Sequence, residues 1–263
     1  MGNAAAVKIG CIGFGNMASA MVDGWIASGV VPAGHIGACA NRYEALCERT
    51  ASRGCMAYRN AEELVKASDV VVVAVKPYMI EDLLAPLAPS LVGKVVISVA
   101  AGWNHARYEE LVPGALHVST VPNTPVSINE GVIACEETDA LDGPARLLVD
   151  ELLGLLGSVV RVPSHLLSVA GTVGGCSPAF IAMVIEALAD AAVKHGISRA
   201  DAYTMVSQMV AGTAKLQLAT GMHPGAMKDA VCSPGGTTIR GVAALEEAGM
   251  RSAFIRAIDA IEG

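Results

Sequence analysis

The sequence predicts an α/β fold in which an N-terminal, Rossmann-type doubly wound sheet is followed by an all-helical region. Three observations carry this. Short β-branched runs alternate with helical stretches up to about residue 162. The run Val70 to Val75 is continuously apolar, as in a parallel strand covered on both faces. After Pro163 the strand signals stop and apolar residues recur at helical spacing.

Taken in order, strands are expected at 7–12 (VKIGCI), 35–40 (HIGACA), 69–75 (DVVVVAV), 95–100 (VVISVA), 115–120 (ALHVST), 131–135 (GVIAC) and 158–162 (SVVRV), with helices filling the gaps. Beyond the boundary, Ser177 and Pro178 suit the N-cap and first turn of a helix. Glu186, Asp190 and Lys194 form its polar face and Gly196 its stop. A second helix starts at Ser198 with Asp201 three residues on, carries Ala202, Met205, Val206, Met209, Val210 and Leu216, and stops at Gly221. A last one uses Ala253, Phe254, Ala257, Ile258 and Ile261. The expected domains are therefore 1–162 and 163–263, without repeats or a low-complexity linker.

Composition narrows the function. Of 263 residues 53% are hydrophobic and only 16% charged, more apolar material than one monomeric core needs, so a homo-oligomer with an apolar interface is expected. The net charge of −7 has no basic run, and Lys and Arg are scattered singly, which argues against nucleic acid. The seven cysteines form no C-x-x-C pair and match no histidine spacing, so neither a disulfide framework nor a metal site is expected. Reduced thiols and an N-terminus without a targeting pattern point to the cytoplasm. Leu166 to Ile185 is long and apolar enough for a membrane span, but Gly174, Gly175 and Pro178 interrupt it, and we read it as a buried interface helix.

The motifs supply the chemistry. GFGNMA (13–18) follows the first strand and opens the first helix, giving G-x-G-x-x-A with Gly13, Gly15 and Ala18 at the fingerprint positions. The glycines permit close approach of a pyrophosphate, and the helix N-terminus faces its charge with unsatisfied amides. At the end of the second strand, where an NAD site places Asp or Glu, the chain reads Ala40-Asn41-Arg42, and a cation beside an amide suits the 2′-phosphate of NADPH. The alternative for Arg42 is a solvated helix residue paired with Glu44. Asn60, ahead of AEEL, is a plain N-cap, an adenosine-side contact, or both. Ala74-Val75-Lys76-Pro77, Ala100-Ala101-Gly102 and VPNTPV (121–126) end further strands on the ligand-binding side of such a sheet.

These residues, together with HPGAMKDAVCSPGGTTIRGVAALE (223–246), resemble the pyrroline-5-carboxylate reductase family over essentially the whole chain. The resemblance implies an NAD(P)H-dependent imine oxidoreductase that forms L-proline, the last step of proline biosynthesis, and a helical domain interlocked with its twin in a homodimer or a multiple of dimers. It implies NADPH as cofactor, with NADH as a second candidate, held on Gly13, Gly15, Asn16, Met17, Ala18, Asn60, Ala74 to Pro77 and Ala100 to Gly102. It places the cyclic imine on Ser233, Gly235, Gly236, Thr237 and Thr238, with Thr238 as the catalytic hydroxyl at the ring nitrogen. Without the resemblance, SPGGTT reads first as an ordinary inter-helix turn with Thr238 as a cap. Three positions depart from the family: Ser119 stands where an arginine is usual, Gly174 begins a segment usually reading S-G-S-G-P-A-Y, and Ser164 replaces an acidic residue. A reductase of another cyclic imine and a non-catalytic NADP-binding scaffold are the alternatives. A Ser177–Asp201–His223 hydrolase and a lysine-dependent hydroxyacid dehydrogenase using Lys194 or Lys215 are the rivals from other classes.

Overall fold

The computed structural model describes residues 3–263; the N-terminus read as lacking a targeting pattern includes Met1 and Gly2, outside them. The chain forms two compact units, Met1–Cys176 and Ser177–Gly263.

The first unit is built on an eight-stranded sheet. Its strands are β1 (Ile9–Ile12), β2 (Ile36–Cys39), β3 (Met56–Tyr58), β4 (Val70–Val73), β5 (Val95–Ser98), β6 (Leu116–Pro122), β7 (Gly131–Glu136) and β8 (Gly157–Val162). They lie in the order β3-β2-β1-β4-β5-β6-β7-β8. From β3 to β6 all pairings are parallel, which is the doubly wound dinucleotide-binding order; β7 runs antiparallel to β6 and β8 parallel to β7. All seven expected strands are present. The eighth, β3, went unpredicted because Met-Ala-Tyr is three residues long, half-exposed and free of β-branching. It is a strand because β2 offers it an edge to pair with.

Around the sheet lie α1 (Asn16–Ala27), α2 (Tyr43–Ala51), α3 (Ala61–Ala67), α4 (Ile80–Leu84), α5 (Ala88–Leu91), α6 (His105–Leu111), α7 (Gly143–Gly154) and α8 (Leu167–Gly175). Alternate strand residues serve opposite faces. Val70 and Val72 join a core with Ile9, Cys11, Ile97 and Trp25, while Val71 and Val73 join another with Leu64, Val96, Leu84 and Tyr108. Both faces are covered, so the valine run has no polar alternation to show. Trp25 on α1 is wholly buried and donates from Nε1 to the Leu152 carbonyl of α7 at 2.8 Å.

The thiols follow this burial. Loss of hydration pushes Cys39 and Cys135 up to about 11 and raises buried Cys11 further. A thiol reagent at pH 8 is therefore expected to spare these three in the native protein and to label all seven cysteines after unfolding. Mass spectrometry of the labelled peptides reads this directly, and equal native and unfolded labelling rates at Cys11 would contradict it.

The second unit comprises α9 (Ser177–Lys194), α10 (Arg199–Thr220), α11 (Pro224–Ala230), α12 (Thr237–Glu247) and α13 (Met250–Glu262), with α9 packed on α10. The stops are as read. Gly196 and Gly221 take φ of +95° and +64°, and the Ser198 hydroxyl accepts from the Asp201 amide at 3.2 Å. Ser177 is not the expected N-cap. Cys176, the only residue between α8 and α9, is itself helical at φ −91° and ψ −34°, so no extended residue is left to cap. The apolar stripe of α10 also fails to form a core within the second unit, since Met205, Met209 and Leu216 are 58%, 49% and 57% exposed. Between residues 177 and 263 only Ala189 and Ala202 are buried. Helices with this little buried surface need another partner for their apolar faces.

The apolar stretch expected to be an interface helix is helical from Ser164 to Lys194 and passes the length and composition test for a span. Its first part, α8, rests on β6 and β7. Gly171 makes this close approach tolerable, because a Cβ there would stand 2.9 Å from Cγ1 of Val121.

Candidate active site

The register of the sheet brings four strand ends to one level. Ile12 of β1 pairs with Cys39 of β2 and Val73 of β4, and Val73 pairs with Ser98 of β5. The segments Gly13–Ala18, Asn41–Arg42, Ala74–Pro77 and Ala100–Gly102 all leave the sheet from this edge, where ligands bind in such folds. Asn60 leaves β3 at the same side, two residues after Tyr58, the partner of Cys39.

Gly13 turns the chain at φ +91°, and its amide donates to the Cys39 carbonyl at 2.9 Å. A Cβ on Gly13 would lie 2.5 Å from the Ala74 carbonyl oxygen, so only glycine lets the turn sit against β4. Gly15 is the N-cap of α1, faces open space and supplies no side chain to the helix end. Exposed Gly15 and Asn16, half-buried Met17 and buried Ala18 thus present a bare twelve-residue helix N-terminus. A pyrophosphate fits this cradle: there is room over Gly15, and the first-turn amides have no side-chain acceptor.

Arg42 is exposed at the N-cap of α2 and, among the described residues, makes no ion pair with Glu44 or any other acid. Asn41 beside it is exposed as well. Asn60 is a full capping residue: Oδ1 accepts from the Glu63 amide at 2.8 Å and Nδ2 donates to the Glu63 carboxylate at 3.0 Å. Ala74 donates to the Ile12 carbonyl at 2.9 Å, Val75 is half-buried, and Lys76 and Pro77 are exposed at the start of a 3₁₀ turn. Ala100 is buried, Ala101 and Gly102 are exposed, and Gly102 has φ +76°.

Three residues that sequence reasoning passed over hold these loops in place. Arg49 of α2 donates to the Phe14 carbonyl and, at 2.6 Å, to Ser19 Oγ, and its guanidinium lies 5.1 Å from the Phe14 ring centroid. Trp103 donates from Nε1 to the Pro77 carbonyl at 3.1 Å, linking the loops after β4 and β5. Arg107 covers the Trp103 ring at 3.9 Å and donates to the Gly102 carbonyl. The aromatic directly after Ala101-Gly102 was the signal for Trp103; the arginines had none, because their acceptors are backbone carbonyls. In VPNTPV, Asn123 is structural: it donates to the Gly174 carbonyl at 3.0 Å and accepts from the Val132 amide at 2.9 Å.

In the second unit, Ser233–Gly236 forms a turn in which the Gly236 amide donates to the Ser233 carbonyl at 3.0 Å and Gly235 takes φ +68°. Gly236 is the N-cap of α12, and Thr237 and Thr238 are its first two helical residues, both exposed. No side chain caps this helix, so Thr238 is not the cap of the alternative reading. The bare first turn and the hydroxyls of Ser233, Thr237 and Thr238 can receive a carboxylate. The hydrolase rival finds no support: Ser177 begins a helix that follows a helix, Asp201 bonds Ser198, and His223 Nδ1 accepts from the Gly225 amide. Lys194 and Lys215 lie on exposed helix faces.

A family model described as pyrroline-5-carboxylate reductase dimerisation matches residues 164–262, and one described as NADP oxidoreductase, coenzyme F420-dependent, matches residues 8–102. A pyrroline-5-carboxylate reductase of Treponema pallidum is 40% identical over 97% of this chain and 98% of its own length. The chain belongs to the pyrroline-5-carboxylate reductase family. The reductase of Methanosarcina acetivorans is also 40% identical, over 95% of this chain and 94% of its own. Among solved structures, the Plasmodium falciparum pyrroline carboxylate reductase with NADP bound superposes with a TM-score of 0.87 at 26% identity, covering 98% of this chain and 96% of that one. The Rossmann sheet followed by a helical region is thus the fold of this reductase family, as the resemblance implied.

Proposed function

We infer that the chain is an NAD(P)H-dependent reductase that converts the cyclic imine 1-pyrroline-5-carboxylate to L-proline. The observation that carries this is the bare N-terminus of α1 behind Gly13, with Arg42 at the N-cap of α2 and unpaired among the described residues, in a chain 40% identical to such reductases over nearly its whole length. When bound, NADPH supplies the hydride. Gly13 to Ala18 hold the pyrophosphate, Asn41 and Arg42 meet the 2′-phosphate, and Asn60 lies toward the adenosine. Ala74 to Pro77 and Ala100 to Gly102 flank the nicotinamide side. Ser233 to Thr238 hold the substrate carboxylate and orient the ring, and Thr238 faces the ring nitrogen. The imine nitrogen takes its proton as the carbon takes the hydride, so orientation is the main contribution of the protein. The division between cofactor and helical domains is proposed near residue 163, where the dimerisation match begins.

NADPH oxidation by the purified protein with pyrroline-5-carboxylate, beside a six-membered imine acid, a 2-keto acid and a simple ester, tests the reading. Faster turnover of the six-membered imine would reassign the substrate, and tight NADPH binding with no turnover would leave a scaffold.

The dimerisation match supports a homo-oligomer acting on a small molecule. We propose a homodimer or a multiple of dimers, because the apolar faces of α9 and α10 are left largely uncovered by the helices of their own unit. Sedimentation at assay concentration should show no active monomer, and a fully active monomer would overturn the proposal. The seat of α8 on the sheet supports a protein outside the membrane, the scattered cations support one without nucleic acid, and reduced thiols support the cytoplasm.

A further inference from the structure

The fold brings two histidines together beside an acid. His105 opens α6, Glu109 follows one turn later on the same face, and His117 lies on neighbouring β6 with its side chain 1% exposed. Ligand atoms of the three all lie within 4.8 Å of one another. Nε2 of His117 stands 3.0 Å from Oε2 of Glu109, and the two imidazole centroids are 4.9 Å apart. Behind them Glu136, at the end of β7, is wholly buried; its Oε2 accepts the His105 backbone amide at 2.8 Å.

A hydrogen bond between His117 and Glu109 does not complete the chemistry of this cluster. Nδ1 of His105, Nδ1 of His117 and Oε1 of Glu136 are all buried and, among the described residues, find no hydrogen-bond partner. Orphaned polar atoms at this density are costly beside the apolar ring of Tyr108, whose centroid lies 5.7 Å from that of His117. Ligand atoms on one tetrahedral ion, each at about 2.0–2.1 Å from it, stand about 3.3 Å apart. The His117–Glu109 separation is already near that value. Glu109, half-exposed, is free to complete the adjustment.

We propose that His105, Glu109 and His117 form a binding site for a divalent cation of the zinc class that pins α6 to β6. Two imidazoles and one carboxylate select zinc and its neighbours over magnesium or calcium, and leave a fourth position for water. The ion takes the place of the proton shared between His117 and Glu109, and that proton leaves to solvent. Glu109 and adjacent Glu136 balance the charge. Because α6 follows the Ala100–Gly102 turn after only Trp103 and Asn104, the ion also fixes the loop that flanks the proposed cofactor site.

Chelator-treated full-length protein, titrated with cobalt(II) as a spectroscopic stand-in and with zinc, tests this. The parent should bind one equivalent of cobalt with visible bands of nitrogen and oxygen ligation and without thiolate charge transfer. Zinc at a hundred times its dissociation constant should raise the melting temperature by about 5 °C. His105→Gln and Glu109→Gln should each weaken binding by about tenfold or more and remove the thermal shift. Glu109 is half-exposed, so its variant tests the site even if the histidine variant folds poorly. Binding of equal affinity in parent and variants, thiolate-type spectra, or an unmoved melting temperature in the parent would overturn the proposal.

Discussion

Thr238→Val is expected to lower the turnover number by about ten- to a thousandfold, the range for one positioned hydrogen bond or proton donor, while leaving NADPH affinity nearly unchanged. Valine keeps the shape and removes only the hydroxyl. A hydroxyl can donate to the ring nitrogen in one protonation state and accept from it in the other, so it can follow that atom through the reaction. The fold sharpens the test. Thr238 is exposed in the first turn of α12 and the N-cap is Gly236, so no capping bond is lost, and threonine and valine have similar helix propensity. The melting temperature should therefore hardly move. Single-turnover hydride transfer and thermal unfolding measured on one preparation distinguish the outcomes; unaltered hydride transfer removes Thr238 from the chemistry.

The residues that shape the proposed cofactor edge were legible because their signals are local. Gly13 is needed for a positive φ against the Ala74 carbonyl, and the valines of β4 need cover on both faces; each leaves a mark within a few residues. The same holds for Ser198 and Asp201, whose capping bond spans three positions. What stayed hidden depends on distant parts of the chain. Strand β3 exists because β2 has a free edge, Arg49 serves a carbonyl 35 residues away, and His105 meets His117 only after β5 and β6 pair. Ser177 misled for a related reason: Ser-Pro is a good helix opening, but the preceding helix leaves it nothing to cap. The stripe of Met205, Met209 and Leu216 has core spacing yet stays exposed in the chain, because helical periodicity marks an apolar face without saying what covers it.

Arg42→Ala is expected to weaken NADPH by about ten- to a hundredfold, the effect of losing a charge-assisted contact to the 2′-phosphate, and to leave NADH nearly unchanged. Two features of the site favour this outcome. Arg42 has no acid to pair with among the described residues, so the guanidinium pays nothing to leave an existing partner; and it stands one residue beyond Asn41 at the edge where β1, β2 and β4 end together. Nearby Arg59 is already stacked 4.6 Å from the Tyr43 ring centroid, which leaves Arg42 the less committed cation. The contrast between cofactors is the diagnostic part. A general loss of fold or of the α2 N-terminus would weaken both dinucleotides alike, whereas loss of a phosphate contact acts on the phosphorylated one alone. The effect should also shrink as ionic strength rises, since an exposed contact of this kind is screened by salt. Michaelis constants for NADPH and NADH at low and high salt, on parent and variant, decide the matter; equal NADPH constants would remove Arg42 from the site and leave the adenosine end to Asn41 and Asn60.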